Sequence, residues 1–457
     1  MTSNTIQFLI DTGDKLINKS DYHNAIKFFN KVLTLQKDNI VAFNNGGICF
    51  LTLKNYNKAL EYFINAYNIN NQNIDIINNI GICYTRLDKL EDAILFYEKS
   101  VSIKPELHIL HELGFLNYIL KNTTKSIKYY SRLENLFPNS YKTLTYCSLA
   151  YLLDKNFTKG FQLYENRFLC PVTSDYNSNF KLFNEIPIWD GTQKCTKVII
   201  IAEQGFGDTI QFFRFIIEIA QKFTEIEFTF FCQKPIGPLL NTLNLTNLLI
   251  KTSLSNKTKY DFRTFTFSVP KLLNITNITP YTKDLYININ KSKALEWKHK
   301  LSHLSGCKIG ICYKGANIQT LEKYIPLYLF EEISNLDINI ILLQKGDGEE
   351  EYNDITFKNK ILKFDIDKEQ PFIDTISILQ NIDLLITVDT AIVHLAGLLN
   401  INTYLLLGKV SEWRWGINDD STYWYNSVSI LRNNTLKNWT PLLNTLKSII
   451  EKKYISI

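Results

Sequence analysis

The chain has 457 residues, 45% of them apolar and 13% aromatic. That is room for about three units of ordinary domain size with buried cores, which excludes global disorder. The formal charge of +5 comes from 50 basic and 45 acidic residues spread along the chain, without the clustering that a nucleic-acid surface needs.

No basic and then apolar leader opens the sequence, and no uncharged apolar run reaches the ~20 residues that span a bilayer, so a cytoplasmic protein without a membrane span is expected. The eight cysteines lie far apart with no CxxC pair. Such spacing reads as scattered reduced thiols, not as a disulfide framework or a metal site.

The N-terminal third repeats itself. Gly13, Gly47, Gly81 and Gly114 are spaced by 34, 34 and 33 residues. Ala25, Ala59, Ala93 and Ser126 follow at one fixed offset, then Phe29, Phe63, Tyr97 and Tyr130 at another, and Pro105 and Pro138 close the third and fourth units. Each unit divides into two amphipathic helices about a turn such as Asp21-Tyr22 or Asn55-Tyr56, with the small residues where the helices cross. Period and register over 6–140 resemble the tetratricopeptide repeat (TPR), and a weaker fifth unit carries Ser148, Tyr151, Phe157, Gly160 and Tyr164. The resemblance implies an α-solenoid whose concave face holds an extended peptide, a rigid spacer or dimerisation surface being the plainer alternative. Cys49 and Cys83 recur in one slot and read as small core residues. His108 and His111 lie one turn apart without a third ligand.

After residue 168 the pattern breaks. Cys170–Asp175 is turn-rich, and Ile186–Gly191 carries Trp189, the first tryptophan. Residues 169–195 read as a connector held down by Trp189. Lys197–Phe215 (KVIIIAEQGFGDTIQFFRF) then gives a buried strand, the glycines Gly205 and Gly207, the acid Asp208 and a helix predicted over 209–223. A strand, glycine turn and helix in this order build a ligand crevice at the carboxyl end of an open α/β sheet. Asp208 fits a helix N-cap, the commoner role for such a residue, and equally a carboxylate facing the crevice. Residues 291–303, with Trp297, His299 and His303, read as a basic, solvated helix bridging two halves, with no glutamate to complete an HExxH metal site.

A second α/β half starts at Lys308–Tyr313. Ile338–Leu343, Asp383–Asp389 and Thr403–Leu407 supply further strands, so the sheet is expected to be parallel. Asp389 and Thr390 stand at the start of a helix over 391–399 that carries His394 one turn in. A helix start of this kind can receive a diphosphate. Equally, Asp389 and Thr390 cap the helix and His394 packs inside.

Ala202–Phe212, Val388–Gly397, Glu412–Trp415, Ser421–Tyr425 with Leu431-Arg432, and the junction pieces Phe157–Arg167 and Ile188–Gly191 together resemble bacterial TPR glycosyltransferases related to glycosyltransferase family 9, the heptosyltransferase family. The resemblance implies a TPR array over 1–168, the connector 169–195, and a GT-B pair of Rossmann-like halves: 196–303 on the acceptor side and 304–457 on the donor side. It implies an inverting, metal-independent transfer of a sugar from a nucleotide-sugar to a protein or glycan acceptor held partly by the repeats, with no cofactor beyond that donor substrate. Asp208 would be the general base. Asp389, Thr390, Ala391 and His394 would hold the donor, with Gly205, Gly207 and Arg414 lining its site. Lys323, ahead of Ile325-Pro326-Leu327, would offset the charge of the leaving diphosphate.

Relatives carry Arg-Ser where this chain has Lys323-Tyr324. Tyr313–Asn317 is unusually basic, which makes Lys314 a second candidate for the clamp, and Glu412 stands for the usual acid before Trp413-Arg414. The alternative from another class is a TPR interaction scaffold with an inactive transferase-like part. A dinucleotide-dependent oxidoreductase is disfavoured because Gly205-Phe206-Gly207 lacks the third glycine of GxGxxG.

Overall fold

In the computed structural model, which describes residues 2–138, 140–169, 183–254, 259–283, 285–315, 323–417, 419–434 and 438–455, the chain opens with helices alone. These are α1 (Thr2–Asn18), α2 (Tyr22–Leu35), α3 (Ile40–Thr52), α4 (Tyr56–Ile69), α5 (Ile74–Arg86), α6 (Leu90–Ile103), α7 (Leu107–Ile119), α8 (Thr123–Leu136), α9 (Tyr141–Leu153) and α10 (Phe157–Tyr164). The repeat signature has a steric cause. A methyl group on Gly13, Gly47 or Gly114 would lie 2.7 Å from the ring of Phe29, Phe63 or Tyr130, and Gly81 abuts Tyr97 in the same way. Each unit therefore lets its aromatic ring pack directly against the glycine of its own first helix, and those rings are fully buried.

Ser20, Lys54, Asp88, Lys121 and Lys155, in the same slot of five successive units, each turn the chain through left-handed backbone with φ near 60°. The next residue starts the second helix: Asp21, Asn55 and Asn156 accept the N–H of Asn24, Lys58 and Lys159. Cys49 and Cys83 are buried in α3 and α5, and burial pushes their thiols up to about 11 and about 12. His111 is held neutral at about 4 by burial and Lys142, edge-on to Tyr130 and Tyr146.

The chain divides into two compact units, Met1–Cys147 and Ser148–Ile457. The divide falls inside α9, earlier than the expected boundary at 168. The physical reason is the packing of α10: Phe157 and Phe161 meet the ring of Trp413, Phe161 also meets Phe212, and Arg167 is fully buried against Glu203 at 2.9 Å. The fifth hairpin keeps the repeat's turn at Lys155, but its second helix is part of the α/β core. Of the connector, residues 170–182, including the turn-rich Cys170–Asp175, lie outside the described residues. Trp189 is buried against Phe223 and Phe228, and its backbone N–H donates to Arg263 O at 2.7 Å.

Two parallel sheets follow. The first contains β1 (Lys197–Ile201), β2 (Glu227–Phe231), β3 (Leu248–Lys251) and β4 (Phe262–Phe265) in the order β3-β2-β1-β4. Helix α11 (Phe206–Lys222) follows β1, and α12 (Lys291–Lys300) leads towards the second sheet. That sheet contains β5 (Cys307–Cys312), β6 (Ile338–Leu342), β7 (Ile361–Lys363), β8 (Leu384–Thr387), β9 (Thr403–Leu407) and β10 (Val428–Arg432), in the order β10-β9-β8-β5-β6-β7. It is interleaved with α13 (Ile373–Leu379) and α14 (Ala391–Leu398) and closed by α15 (Thr440–Ile450).

β1 and β8 are apolar runs buried almost end to end, as strands covered on both faces must be. In each sheet the strand order reverses once, between β1 and β4 and between β5 and β8. The carboxyl ends at those reversals are where such sheets leave a crevice. Helix α12 corrects the expectation of a solvated bridge: Trp297 is buried and donates its indole N–H to Asp374 Oδ1 at 2.7 Å. His299 lies on the same helix and His303 just beyond it, and among the described residues no group of three or more His, Cys, Asp or Glu could hold a metal ion.

Candidate functional site

Both reversals deliver their loops to the same place. β1 runs into Gln204, which is left-handed with φ 59°, and Gly205 is then the N-cap of α11. The helix starts three residues earlier than the sequence predicted, so Asp208 occupies its third position and not the N-cap. From there Asp208 Oδ2 still accepts the N–H of Gly205 at 3.0 Å, half of a capping box, since glycine has no side chain to return the bond. Its other oxygen, Oδ1, accepts Arg414 Nη1 at 2.6 Å. One carboxylate thus fixes its own helix start and reaches the second sheet's loops.

From the second sheet, β8 ends at Thr387 and the chain passes through Val388 and Asp389 into α14. Thr390 is the N-cap residue of α14 but makes no side-chain cap. Its hydroxyl lies 3.2 Å from Thr387 Oγ1 and 3.8 Å from Cys312 Sγ, so it points back into the strand ends and is not the free donor that the sequence implied. Asp389 does not cap either, because it faces Lys323. Ala391 opens the helix, and its Cα would lie 3.4 Å from a methyl group on Gly207; the same methyl would be 2.9 Å from His394 Cδ2 and 3.2 Å from Nε2. Only a glycine lets the loop after β1 come this close to α14.

Lys323 is positioned by a short backbone pairing with the end of β5, in which Gly315 N–H donates to Lys323 O at 2.7 Å and Ile325 N–H to Tyr313 O at 2.9 Å. Ala316 and Asn317, part of the basic stretch noted in the sequence, lie outside the described residues. Lys323 Nζ meets Asp389 Oδ2 at 2.8 Å and Glu412 Oε1 at 2.7 Å. Glu412 Oε2 in turn meets Arg414 Nη2 at 2.7 Å.

The result is one alternating chain: Asp208, Arg414, Glu412, Lys323, Asp389. Its side chains are between 7% and 20% exposed. Burial works against the charges of Arg414 and Lys323, but Glu412 with Asp208 and Asp389 outweighs it and both are held firmly protonated. Lys314 departs from expectation. It turns to Asp347 at 2.8 Å and Glu350 at 3.9 Å, and its neighbour across the pairing is Tyr324, so it has its own carboxylate partners apart from this cluster.

His394 is buried. Its ring stacks on Trp415 with centroids 5.5 Å apart and planes 17° from parallel, and Nδ1 shares a hydrogen bond with the Tyr425 hydroxyl at 3.0 Å. Burial, reinforced by Arg414 and Lys323, lowers its pKa to about 3, so it is a neutral imidazole at physiological pH. It packs inside, as the plainer sequence reading had it, yet within contact of the glycine loop.

Three residues gained importance only in three dimensions. Glu412 is the centre of the ion-pair chain although the sequence marked it only as a substitute acid. Gln211 accepts Arg414 Nη1 at 3.1 Å. Phe372, in left-handed backbone with φ 64° ahead of α13, meets Phe206 edge-on at 6.0 Å. No motif signals a left-handed phenylalanine. Cavities of about 230 and 240 Å³ open elsewhere, beside Tyr328, Ile333 and Leu443 and beside Tyr129 and Arg132. Among the described residues no helix is long and apolar enough to cross a membrane.

Among curated proteins the chain is similar to Protein FlbA of Caulobacter vibrioides (strain ATCC 19089 / CIP 103742 / CB 15), 23% identical over 324 residues, a match covering 64% of this chain and 52% of FlbA. The match therefore spans about half the length of that relative, and it is longer than the whole first unit of this chain. Among solved structures the chain is similar to YrrB, a TPR protein described as having an unusual peptide-binding site (15% identity, 35% of this chain and 83% of that one, TM-score 0.33). It is also similar to MamA (18%, 34% and 91%, TM-score 0.33). A tetratricopeptide repeat protein from Parabacteroides merdae ATCC 43184 matches as well (17%, 40% and 70%, TM-score 0.35). Residues 13–39 and 74–107 match the tetratricopeptide repeat family. The helical array at the N-terminal end of the chain is thus a tetratricopeptide-repeat array, joined in sequence to an α/β unit of two parallel sheets.

Proposed function

We propose that the protein is an inverting, metal-independent glycosyltransferase of the GT-B type, moving a sugar from a nucleotide-sugar to a protein or glycan acceptor that the repeat array helps to hold. The observation that carries this reading is the meeting of Asp208, at the first sheet's glycine loop, with Arg414, Lys323 and the start of α14 from the second sheet. In the proposed reaction the acceptor hydroxyl gives its proton to Asp208, and its oxygen bonds to the anomeric carbon from the face opposite the diphosphate. The bond from that carbon to the diphosphate oxygen breaks, and its electron pair leaves with the nucleoside diphosphate. The buried guanidinium of Arg414 and the half-buried ammonium of Lys323 suit that step, because charge grows on the leaving group and cations held in a water-poor setting stabilise it most. The resemblance in the Ala202–Phe212 and Val388–Gly397 motifs supports the same assignment of roles.

One observation favours a second reading. Every cation in the cluster already has a carboxylate partner, as in a purely structural pin, which would leave the chain a TPR interaction scaffold. A panel of nucleotide-sugars with product detection decides between them. The expected result is hydrolysis or transfer from at least one donor, lost in Asp208→Asn while donor binding persists. No turnover and no binding across the panel would leave the scaffold.

A further inference from the structure

The ion-pair chain holds three carboxylates and two cations, a formal balance of −1. A diphosphate entering this arrangement would meet net negative charge, whatever its fit. Yet unpartnered donors lie on and beside the same arginine. Arg414 Nε, Gln211 Nε2 and Trp415 Nε1 are buried without a partner among the described residues. Gln211 is bound to Arg414 through its other amide atom, and Trp415 is the next residue along, stacked on His394. Orphaned buried donors are uncommon in folded proteins. Two of them, on Arg414 itself and on the Gln211 amide bonded to it, leave donors for an oxyanion at that guanidinium.

Among the three carboxylates Glu412 stands apart. It alone bridges both cations, its two oxygens divided between Lys323 and Arg414 like the two oxygens of a bridging phosphate. It is also the most exposed, 20% against 15% for Asp208 and 8% for Asp389. Asp208 is tied to its helix start by the Gly205 N–H, and Asp389 sits at the buried end of β8, so neither is as free to leave. With Glu412 turned to solvent, the remaining two carboxylates and two cations balance to zero, each cation still has an anchor, and a bidentate edge of Arg414 is free.

We propose that Glu412 is a resident stand-in for a phosphate: it occupies the diphosphate position of the clamp, holds Lys323 and Arg414 in place in the ligand-free protein, and is displaced when a diphosphate binds. The idea rests on the transferase reading of the same site and adds that the site is self-blocked, so that ligand affinity is set by competition with an internal carboxylate. Arg414 is then the principal clamp cation together with Lys323, and Lys314 is outside it.

The test is calorimetric titration of the full chain with inorganic pyrophosphate, comparing the native protein with Glu412→Gln and Glu412→Asp. The glutamine keeps the shape and loses the charge, and the aspartate is too short to bridge both cations. Both variants are expected to bind pyrophosphate at least tenfold more tightly than the native protein, and Lys323→Gln placed on Glu412→Gln should reverse the gain. Equal or weaker binding by both variants would overturn the proposal and make Glu412 a strut that positions the cations. Failure of both variants to fold would overturn it too, in favour of a structural pin. Pyrophosphate carries neither sugar nor base, so this comparison reads the clamp separately from the donor panel: a silent panel with a tenfold gain removes the transferase reading and keeps the displaced carboxylate.

Discussion

Side chains at the meeting point of the two sheets carry two duties each, and their titration shows it. His394 has a native pKa of about 3 because burial and then Arg414 disfavour a further positive charge, with a smaller push from Lys323, and together they outweigh the opposing pull of Asp208. The unfolded chain takes up that proton near pH 6.5 and the native protein does not until about pH 3. The contribution is therefore complete above about 6.5 and is lost as pH falls towards 3, at about 1.4 kcal/mol per pH unit. Urea unfolding of the α/β unit at pH 7 and pH 5 should show a loss of about 2 kcal/mol that is absent in His394→Gln. An unchanged pH dependence in that variant would mean that His394 is not the group responsible. Sequence reading could place His394 on the right helix and leave open whether it packed inside, because a three-residue offset fixes a face but not what lies against it. The same limit hid the partner of Arg414. The Trp-Arg-Trp motif marked the residue, but its bond to Asp208 spans two sheets and no local pattern encodes it.

Elements were more legible than side-chain roles wherever the determinants are local. In the repeats, the residue identities that fix helix crossing lie within one unit, so glycine, alanine and aromatic spacing gave hairpins and turns in the right places. The units differ in one detail that the structure makes measurable. Asp21, Asn55 and Asn156 cap the second helix of their units, whereas Lys89 before α6 and Asn122 before α8 make no side-chain cap, and Lys89 alone of the five is a residue type that has no oxygen to cap with. Its backbone angles, φ −93° and ψ 69°, nearly match those of Asn55 at −88° and 74°. Lys89→Asn should therefore fit without rearrangement and add about 0.5–1 kcal/mol, seen as a higher melting temperature of the repeat unit. A fall in stability would show that the lysine makes a contribution that the capping comparison misses. Helix α12 escapes a reading from sequence for the opposite reason. Its polar composition is real, but Trp297 is committed to Asp374 in another helix, a pairing 77 residues away that composition cannot report.

At the scale of the whole molecule the two units are built on different principles. The repeats gain stability from each helix against its neighbours in sequence, which makes their unfolding a sum of local terms. The α/β unit depends on strand pairs such as Val198 with Phe262 and Ile309 with Leu384, whose partners lie far apart along the chain, and on the ion-pair chain that joins its two sheets' loops. Removing Arg414 leaves Asp208 and Glu412 as neighbouring half-buried carboxylates without their common cation. Breaking a buried pair by deleting one partner typically costs about 3–5 kcal/mol, more than most surface contacts are worth. Arg414→Met keeps the length and most of the packing volume and so isolates the electrostatic loss. Chemical denaturation should resolve two transitions in the native chain, and Arg414→Met should lower the midpoint of one of them while leaving the other where it was. Hydrogen exchange assigns them: the shifted transition should expose amides of β1, α11 and α14, and the unshifted one amides of α2 to α7. A single transition that moves as a whole would mean that the repeat array and the α/β unit unfold as one cooperative body. The cluster would then be coupled to the repeats' stability as well as to the α/β unit's.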